Sequence, residues 1–343
     1  MMDSTKPVRW GVIGPGRIAA TFAAALQDPA VGMLQAACSR DRARAQAFLD
    51  EHGGSQAFGS MAAFLQEAEV DAVYIATPHM RHAEDALACL EAGLPVLIEK
   101  PLATSEADAS AVLSAAESSG LLAMEAMWTA FLPNVKRFLS LADQAAQDGP
   151  AVGHIDFQFA PDVGPDHRLR NAALAGGALL DVGVYALSMA SWLLGQPALV
   201  ASSMTWDSET GVDRSASVVL TAGERRVTVS FGMDVDGPRT VQWSTPRGRV
   251  MLGPDWFTER AVVTTEAPAK WDGRRPAGSL VNEEVAADVS RPGFAYQVEA
   301  FERALRAGRT NVPERTADDV RMVHRLMDEL RASWGLRYPF EVA

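Results

Sequence analysis

The sequence predicts an α/β protein, with a doubly wound parallel sheet first and an antiparallel sheet after it. Three observations carry this. The apolar run Val8–Ile13 meets Gly14-Pro15-Gly16 and then a helical pattern, Arg17–Gln27, so the chain begins strand, glycine turn, helix. From Val8 to about Trp128 strand and helix patterns alternate, as crossover units of a parallel sheet do. Beyond Trp128 the rhythm changes to short runs in which apolar and polar residues alternate, the signature of an antiparallel sheet.

The turn reads G-x-G-x-x-A, with Gly14, Gly16 and Ala19 in the diagnostic places. Gly14 permits the tight turn, Gly16 lets a pyrophosphate approach the backbone, and Ala19 lets helix pack on strand. The phosphates sit on free N–H groups at the helix start. Next come a strand at Met33–Ser39, a helix over Asp41–His52 with Asp41 as cap, a short strand at Ala57-Phe58 and a helix from Ser60 to Glu67. A buried strand at Asp71–Ala76 closes at Thr77-Pro78, and a helix His79–Glu91 stops at Gly93. Strand Leu94–Ile98 leads to Glu99-Lys100-Pro101, helix Ser105–Ser119 stops at Gly120, and strand Leu121–Met124 ends the alternation.

In the second half, Phe131–Gln147 reads as helix and His154–Phe159 as strand, and a long apolar helix surrounds Asp181. Strands follow at Leu199–Trp206, Ala216–Leu220, Arg225–Phe231, Thr240–Ser244, Arg249–Leu252 and Thr258–Thr264. Ala267–Arg291, rich in Pro, Gly and charge, reads as a surface loop, and helices over Phe294–Ala307 and Ala317–Trp334 close the chain. The domains implied are 1–128 for the dinucleotide and 129–343 for substrate binding and oligomerisation.

The 343 residues suit two domains, and 48% hydrophobic with 22% charged residues is an ordinary globular composition. A formal net charge of -12 argues against nucleic acid or an anionic membrane surface as partner. Ala172–Gly195 is long enough to span a bilayer, but its one charge, Asp181, falls near the centre, where insertion costs about 2.5–3.5 kcal/mol. A buried core helix is the expectation. Cys38 and Cys89 lie far apart in no metal or redox spacing, which fits core thiols in a reducing cytoplasm.

At the end of the second strand an NAD-preferring site places an acid. Here the chain reads Cys38-Ser39-Arg40-Asp41, with Arg44 one turn on. Ser39, Arg40 and Arg44 suit a 2′-phosphate, and Asp41 reads as a helix cap, so NADP is favoured over NAD. Lys100, at the carboxyl end of a sheet strand, projects where ligands of such sheets bind. It either meets ribose and substrate hydroxyls, lowering the pKa of a nearby phenol, or simply begins a surface loop. Asp181 and Tyr185 stand four apart in a helix and so face one way. They are either a working carboxylate and phenol or a satisfied buried acid and a core tyrosine. His79 and His82 open a helix with no Cys or acidic partner to complete a metal set, so no metal is expected; His79 is placed near the substrate and His82 as a structural or ribose-side group.

GPGRIA, EKPLATS, MEAMWTAFLP and GGALLDVGVYALSMASWLLG, in this order and with the closing RMVHRLMDELRASWGLRYPFE, resemble the glucose–fructose oxidoreductase, inositol dehydrogenase and rhizopine catabolism family (Gfo/Idh/MocA), nearest its dihydrodiol and xylose dehydrogenase branch. The resemblance implies an N-terminal Rossmann domain joined to a C-terminal α/β domain on a large open, mostly antiparallel sheet, an active site between them, and a homodimer. It implies a hydride exchanged between a nicotinamide cofactor and a sugar or cyclic diol hydroxyl. Its catalytic residues are Tyr185, Lys100 and Asp181. Cofactor contacts fall to Gly14, Gly16, Arg17, Ile18, Ser39, Arg40, Arg44, Thr77, Pro78, His82, Glu99 and Lys100. Substrate contacts fall to His79 and Trp128, with Phe157, Phe159 and Trp256 as looser matches to aromatic pocket residues. The branch usually reads W-T-R-F where this chain has Trp128-Thr129-Ala130-Phe131, so the arginine's contact is either absent or supplied by another group, with Arg168 and Arg170 as candidates. Two other functions fit the same family: an NAD-dependent glycosidase and a non-catalytic dinucleotide sensor.

Overall fold

The computed structural model describes residues 6–146, 149–267, 280–281 and 291–341. The elements are β1 (Arg9–Ile13), α1 (Arg17–Ala25), β2 (Met33–Cys38), α2 (Arg42–His52), β3 (Gln56–Phe58), α3 (Met61–Glu67), β4 (Ala72–Ile75), α4 (His82–Glu91), β5 (Val96–Glu99), α5 (Glu106–Ser119) and β6 (Ala123–Ala126). They continue as α6 (Pro133–Ala146), β7 (Ala151–Gln158), α7 (Val184–Leu194), β8 (Ala198–Trp206), β9 (Asp213–Ala222), β10 (Arg225–Gly232), β11 (Val241–Thr245), β12 (Gly248–Gly253), β13 (Val262–Glu266), β14 (Leu280–Val281), α8 (Gly293–Arg306) and α9 (Ala317–Trp334). The chain packs as two units, Met1–Phe131 with Ser290–His324, and Leu132–Val289 with Arg325–Ala343.

In the first unit six parallel strands take the order β3-β2-β1-β4-β5-β6. The order reverses between β1 and β4, which places a ligand crevice at the carboxyl ends of those strands. Local chemistry sets the helix boundaries as expected: Asp41 accepts the Ala43 amide, Ser60 the Ala63 amide and Ser105 the Asp108 amide, and Gly120 ends α5 at φ 66°. The helix expected from His79 starts instead as a tight 3-10 turn, His79–Arg81, before α4. Strands β4 and β5 are buried throughout, as a sheet covered on both faces requires.

Helix α8 also belongs to this unit, so the expected assignment of 129–343 to one domain needs correction. The reason is packing around Trp10. Its ring lies 5.0 Å from Phe301 of α8, and its indole N–H donates to Glu302 at 2.9 Å. The Gly32 amide donates to the same carboxylate at 2.7 Å.

In the second unit eight strands take the order β14-β13-β12-β11-β7-β10-β9-β8. All neighbours are antiparallel except β7 and β10, so the sheet is mixed. Strand β7 buries alternate residues, the mark of a sheet covered on one face. Of the apolar run Ala172–Leu194, 78% of the most hydropathic stretch is buried, and the run is a core helix. It is not one regular helix: a π-turn, Leu179–Gly183, precedes α7. The loop expected over Ala267–Arg291 lies outside the described residues except at its ends and at β14.

Candidate functional site

The glycine turn has the geometry its sequence implies. Gly14 sits at φ 84°, and a Cβ there would meet the Ala76 carbonyl and the Thr77 amide at 2.8 Å, so only glycine fits. Gly16 opens α1 with no side-chain cap, and a Cβ there would find nothing nearer than 3.9 Å. An uncapped helix start beside open space is the donor set a pyrophosphate needs, so the residues fit a dinucleotide. Arg17 and Ile18 are exposed on that first turn.

After β2, Asp41 works as the helix cap: its Oδ1 accepts the Ala43 amide at 2.9 Å. Ser39 is half-buried, with its Oγ accepting the Asp41 amide at 3.4 Å. Arg40 and Arg44 are exposed. Among the described residues neither is paired with a carboxylate.

The Glu99-Lys100-Pro101 loop is pinned from beneath at successive residues. Glu99 is buried, takes the Tyr74 hydroxyl as donor, and accepts the Lys100 amide at 3.2 Å. Burial pushes the Glu99 carboxyl up to about 7, against the pull of the Tyr74 hydrogen bond and the Lys100 charge. The Pro101 carbonyl meets His82 Nδ1 at 2.8 Å. The Leu102 amide donates to Glu125 at 2.8 Å, and the Ala103 amide donates to His324 Nε2 at 3.3 Å. Glu125 is in turn held by Arg315 at 2.5 Å, both side chains being fully buried. Burial pushes Glu125 up, but Arg315, His324 and the Leu102 amide together outweigh it and hold the carboxyl below its ordinary range.

His82 needs correction as a ribose contact. It is fully buried, and its second nitrogen meets the Thr77 carbonyl at 2.8 Å, so both ring nitrogens are engaged. It ties the Thr77-Pro78 turn to the Lys100-Pro101 loop and leaves no edge for a ligand. His79 is half-buried, its ring 5.7 Å from that of His82, and Pro78 is exposed. Thr77 donates through its hydroxyl to Asp85 at 2.8 Å. Trp128 is half-buried in the same unit, 5.2 Å from the Phe294 ring of α8.

The second unit holds the other cluster. Asp181 lies within the π-turn and is 7% exposed, and Arg168 Nη1 donates to it at 3.3 Å. Tyr185, on the first turn of α7, is half-buried with its ring 5.4 Å from Phe157. Phe159 is half-buried just after β7. Arg170 is committed elsewhere: it donates to Asp207 at 2.7 Å and Glu209 at 2.9 Å, and its guanidinium holds the Asp207 carboxyl at about 2. Of the two candidate arginines, Arg168 is the one that reaches Asp181. Trp256 needs correction as a pocket wall. It is fully buried, its indole N–H donates to the Asp156 carbonyl at 3.1 Å, and it packs edge-on to Phe157.

Glu125, Arg315 and His324 support the lysine loop and were not expected. Glu125 carried a signal, a lone carboxylate in an apolar strand that must find a partner. Arg315 and His324 carried none, since they sit about two hundred residues from what they hold.

Comparison with known proteins gives the family of both domains. Residues 8–127 match the model described as "Oxidoreductase family, NAD-binding Rossmann fold", and 151–251 match the "GFO/IDH/MocA C-terminal domain". The chain is 29% identical over 337 residues to trans-1,2-dihydrobenzene-1,2-diol dehydrogenase of Sus scrofa, covering 97% of this chain and 98% of that one. It is 36% identical over 285 residues to a D-xylose 1-dehydrogenase (NADP(+)) of Haloferax volcanii, covering 80% and 82%. A solved 3-ketoreductase from Actinomadura kijaniata, in complex with NADP and TDP-benzene, is similar at TM-score 0.82 and 27% identity, covering 95% and 98%. With its glycine turn, pinned lysine loop and mixed C-terminal sheet, the chain belongs to the Gfo/Idh/MocA family of NAD(P)-dependent oxidoreductases.

Proposed function

We propose that the protein oxidises a hydroxyl of a sugar or cyclic diol, or reduces the matching carbonyl, with NADP preferred as cofactor. The observation that carries this reading is the Arg168–Asp181 pair beside a half-buried Tyr185. A carboxylate that accepts and a guanidinium that donates together match the two faces of a diol, and a phenol two residues into α7 supplies the proton relay. Asp181 orients one hydroxyl. In oxidation Tyr185, as the phenolate, takes the proton from the reacting hydroxyl, and in reduction the phenol returns it to the carbonyl oxygen. Lys100, on its pinned loop, positions that oxygen and offsets the negative charge developing on the phenol. Nicotinamide, when bound, supplies the hydride chemistry. Ser39, Arg40 and Arg44 would hold the 2′-phosphate, and the exposure of both arginines, with no carboxylate partner among the described residues, supports NADP. Two relatives of high coverage are named for a dihydrodiol and for D-xylose, which supports the substrate class.

A spectrophotometric screen of pentoses, hexoses, inositols and dihydrodiols with NADP and NAD tests the reading. Tyr185→Phe should lower turnover by about 10²–10⁴ while leaving NADP affinity intact. Unchanged turnover would remove Tyr185 from the chemistry, and sugar release without net NADPH would favour a glycosidase. The buried, unpaired thiols of Cys38 and Cys89 support a cytoplasmic setting. A homodimer is supported by edge strand β8, where Val200 and Trp206 stand 60% and 43% exposed. Light scattering at micromolar concentration should give twice the 36.7 kDa chain mass; a single-chain mass would refute it.

A further inference from the structure

We propose that Asp213 is the positioning residue for the Asp181–Tyr185 segment: from the start of β9 it fixes where the π-turn begins and, through that, where both side chains point. This rests on the reading that Asp181 and Tyr185 act on substrate.

Asp213 is fully buried, and its Oδ2 accepts the amide of Leu179, the first residue of the π-turn, at 2.6 Å. A helix start leaves amides that need acceptors, and the residue before this one, Ala178, has no side-chain acceptor to offer. A strand 34 residues further along the chain supplies it. The same carboxylate shapes what precedes the turn. Gly177 sits at φ 118°, and a Cβ there would stand 2.1 Å from Asp213 Oδ1.

The other half of the site hangs on the same point. The Gly177 amide donates to the Leu169 carbonyl at 2.8 Å, next to Arg168, and the Tyr338 hydroxyl donates to the Gly176 carbonyl at 3.1 Å. Arg168 then closes the circuit onto Asp181 at 3.3 Å. Moving Asp213 therefore moves carboxylate, guanidinium and phenol together. A π-turn makes this support necessary, because its hydrogen bonds span one residue more than an α-helix and such turns persist where surroundings hold them.

The test uses the full chain and the substrate that the screen identifies. Asp213→Ala should lower kcat at least tenfold per NADP-binding site, with NADP affinity within twofold of wild type. Asp213→Asn keeps an oxygen for the Leu179 amide and should recover kcat to within about threefold. Asp181→Asn and Tyr185→Phe are run beside them. If those two lose turnover while Asp213→Ala keeps wild-type kcat per site, the positioning role is wrong. If those two keep turnover, the active-site reading itself fails. Should Asp213→Ala not fold, Asp213→Glu decides: its acceptor is displaced by one methylene, and an unaltered kcat would overturn the proposal.

Discussion

Each unit buries a carboxylate under a backbone turn, and each holds it differently. Glu125, under the lysine loop, is gripped by the buried guanidinium of Arg315 and stays charged. Asp213, under the π-turn, is held by backbone amides, with Leu179 foremost, and no side chain among the described residues donates a hydrogen bond to it. Burial pushes Asp213 up to about 6, against the pull of the Leu179 amide. The lysine loop thus rests on a permanent ion pair, whereas the π-turn rests on a group that titrates. A paired guanidinium keeps a buried carboxylate in its charged form, whereas amides alone leave burial to push it toward the neutral acid.

The comparison is broken most directly at the ion pair. Glu125→Ala leaves Arg315 charged and buried without its partner, and should destabilise the protein by about 3–5 kcal/mol in urea unfolding. A loss below about 1 kcal/mol would mean that the pair contributes no more than a surface bridge.

Titration sharpens it next. Asp213 rises from 3.8 to about 6 and Glu99 from 4.5 to about 7, so the folded protein binds protons that the unfolded chain has released. The stability these groups contribute is therefore full below about pH 4 and is lost as pH climbs to about 7. Asp213→Asn and Glu99→Gln should each flatten that decline, by on the order of 1–3 kcal/mol between the two ends. Glu125 works in the opposite sense: its contribution is present above its unfolded value of 4.5 and disappears as pH falls through its lower folded value. Thermal melts from pH 2 to 8 read both directions, and an unchanged slope in Asp213→Asn would contradict the burial argument.

The smallest effect gives the baseline. Asp41 performs the same task as Asp213, a carboxylate accepting a helix amide, but in water. Asp41→Ala should cost about 1 kcal/mol. If Asp213→Ala cost no more than this, burial would add nothing to the clamp.

Legibility in the sequence follows range of interaction. The Asp41 cap, the Gly14 turn and the Gly120 stop were readable because each depends on residues within a few positions. The common facing of Asp181 and Tyr185 was expected from α-helical spacing, but the chain between them runs through a π-turn, which no local residue pattern specifies. Trp128 and Trp256 look alike as sequence, yet one is half-buried and the other fully so. His79 and His82, three apart, differ the same way.

By itself the sequence determined the parallel sheet, its crossover helices and the glycine turn, since periodicity and backbone preference act locally. Only the tertiary structure decided that α8 packs on the first sheet, that Arg168 rather than Arg170 meets Asp181, and that Glu125, His324 and Asp213 support the working loops. Those choices depend on which polar groups share a buried site. The cost of leaving one unpaired is decided by distant residues, which no local pattern encodes.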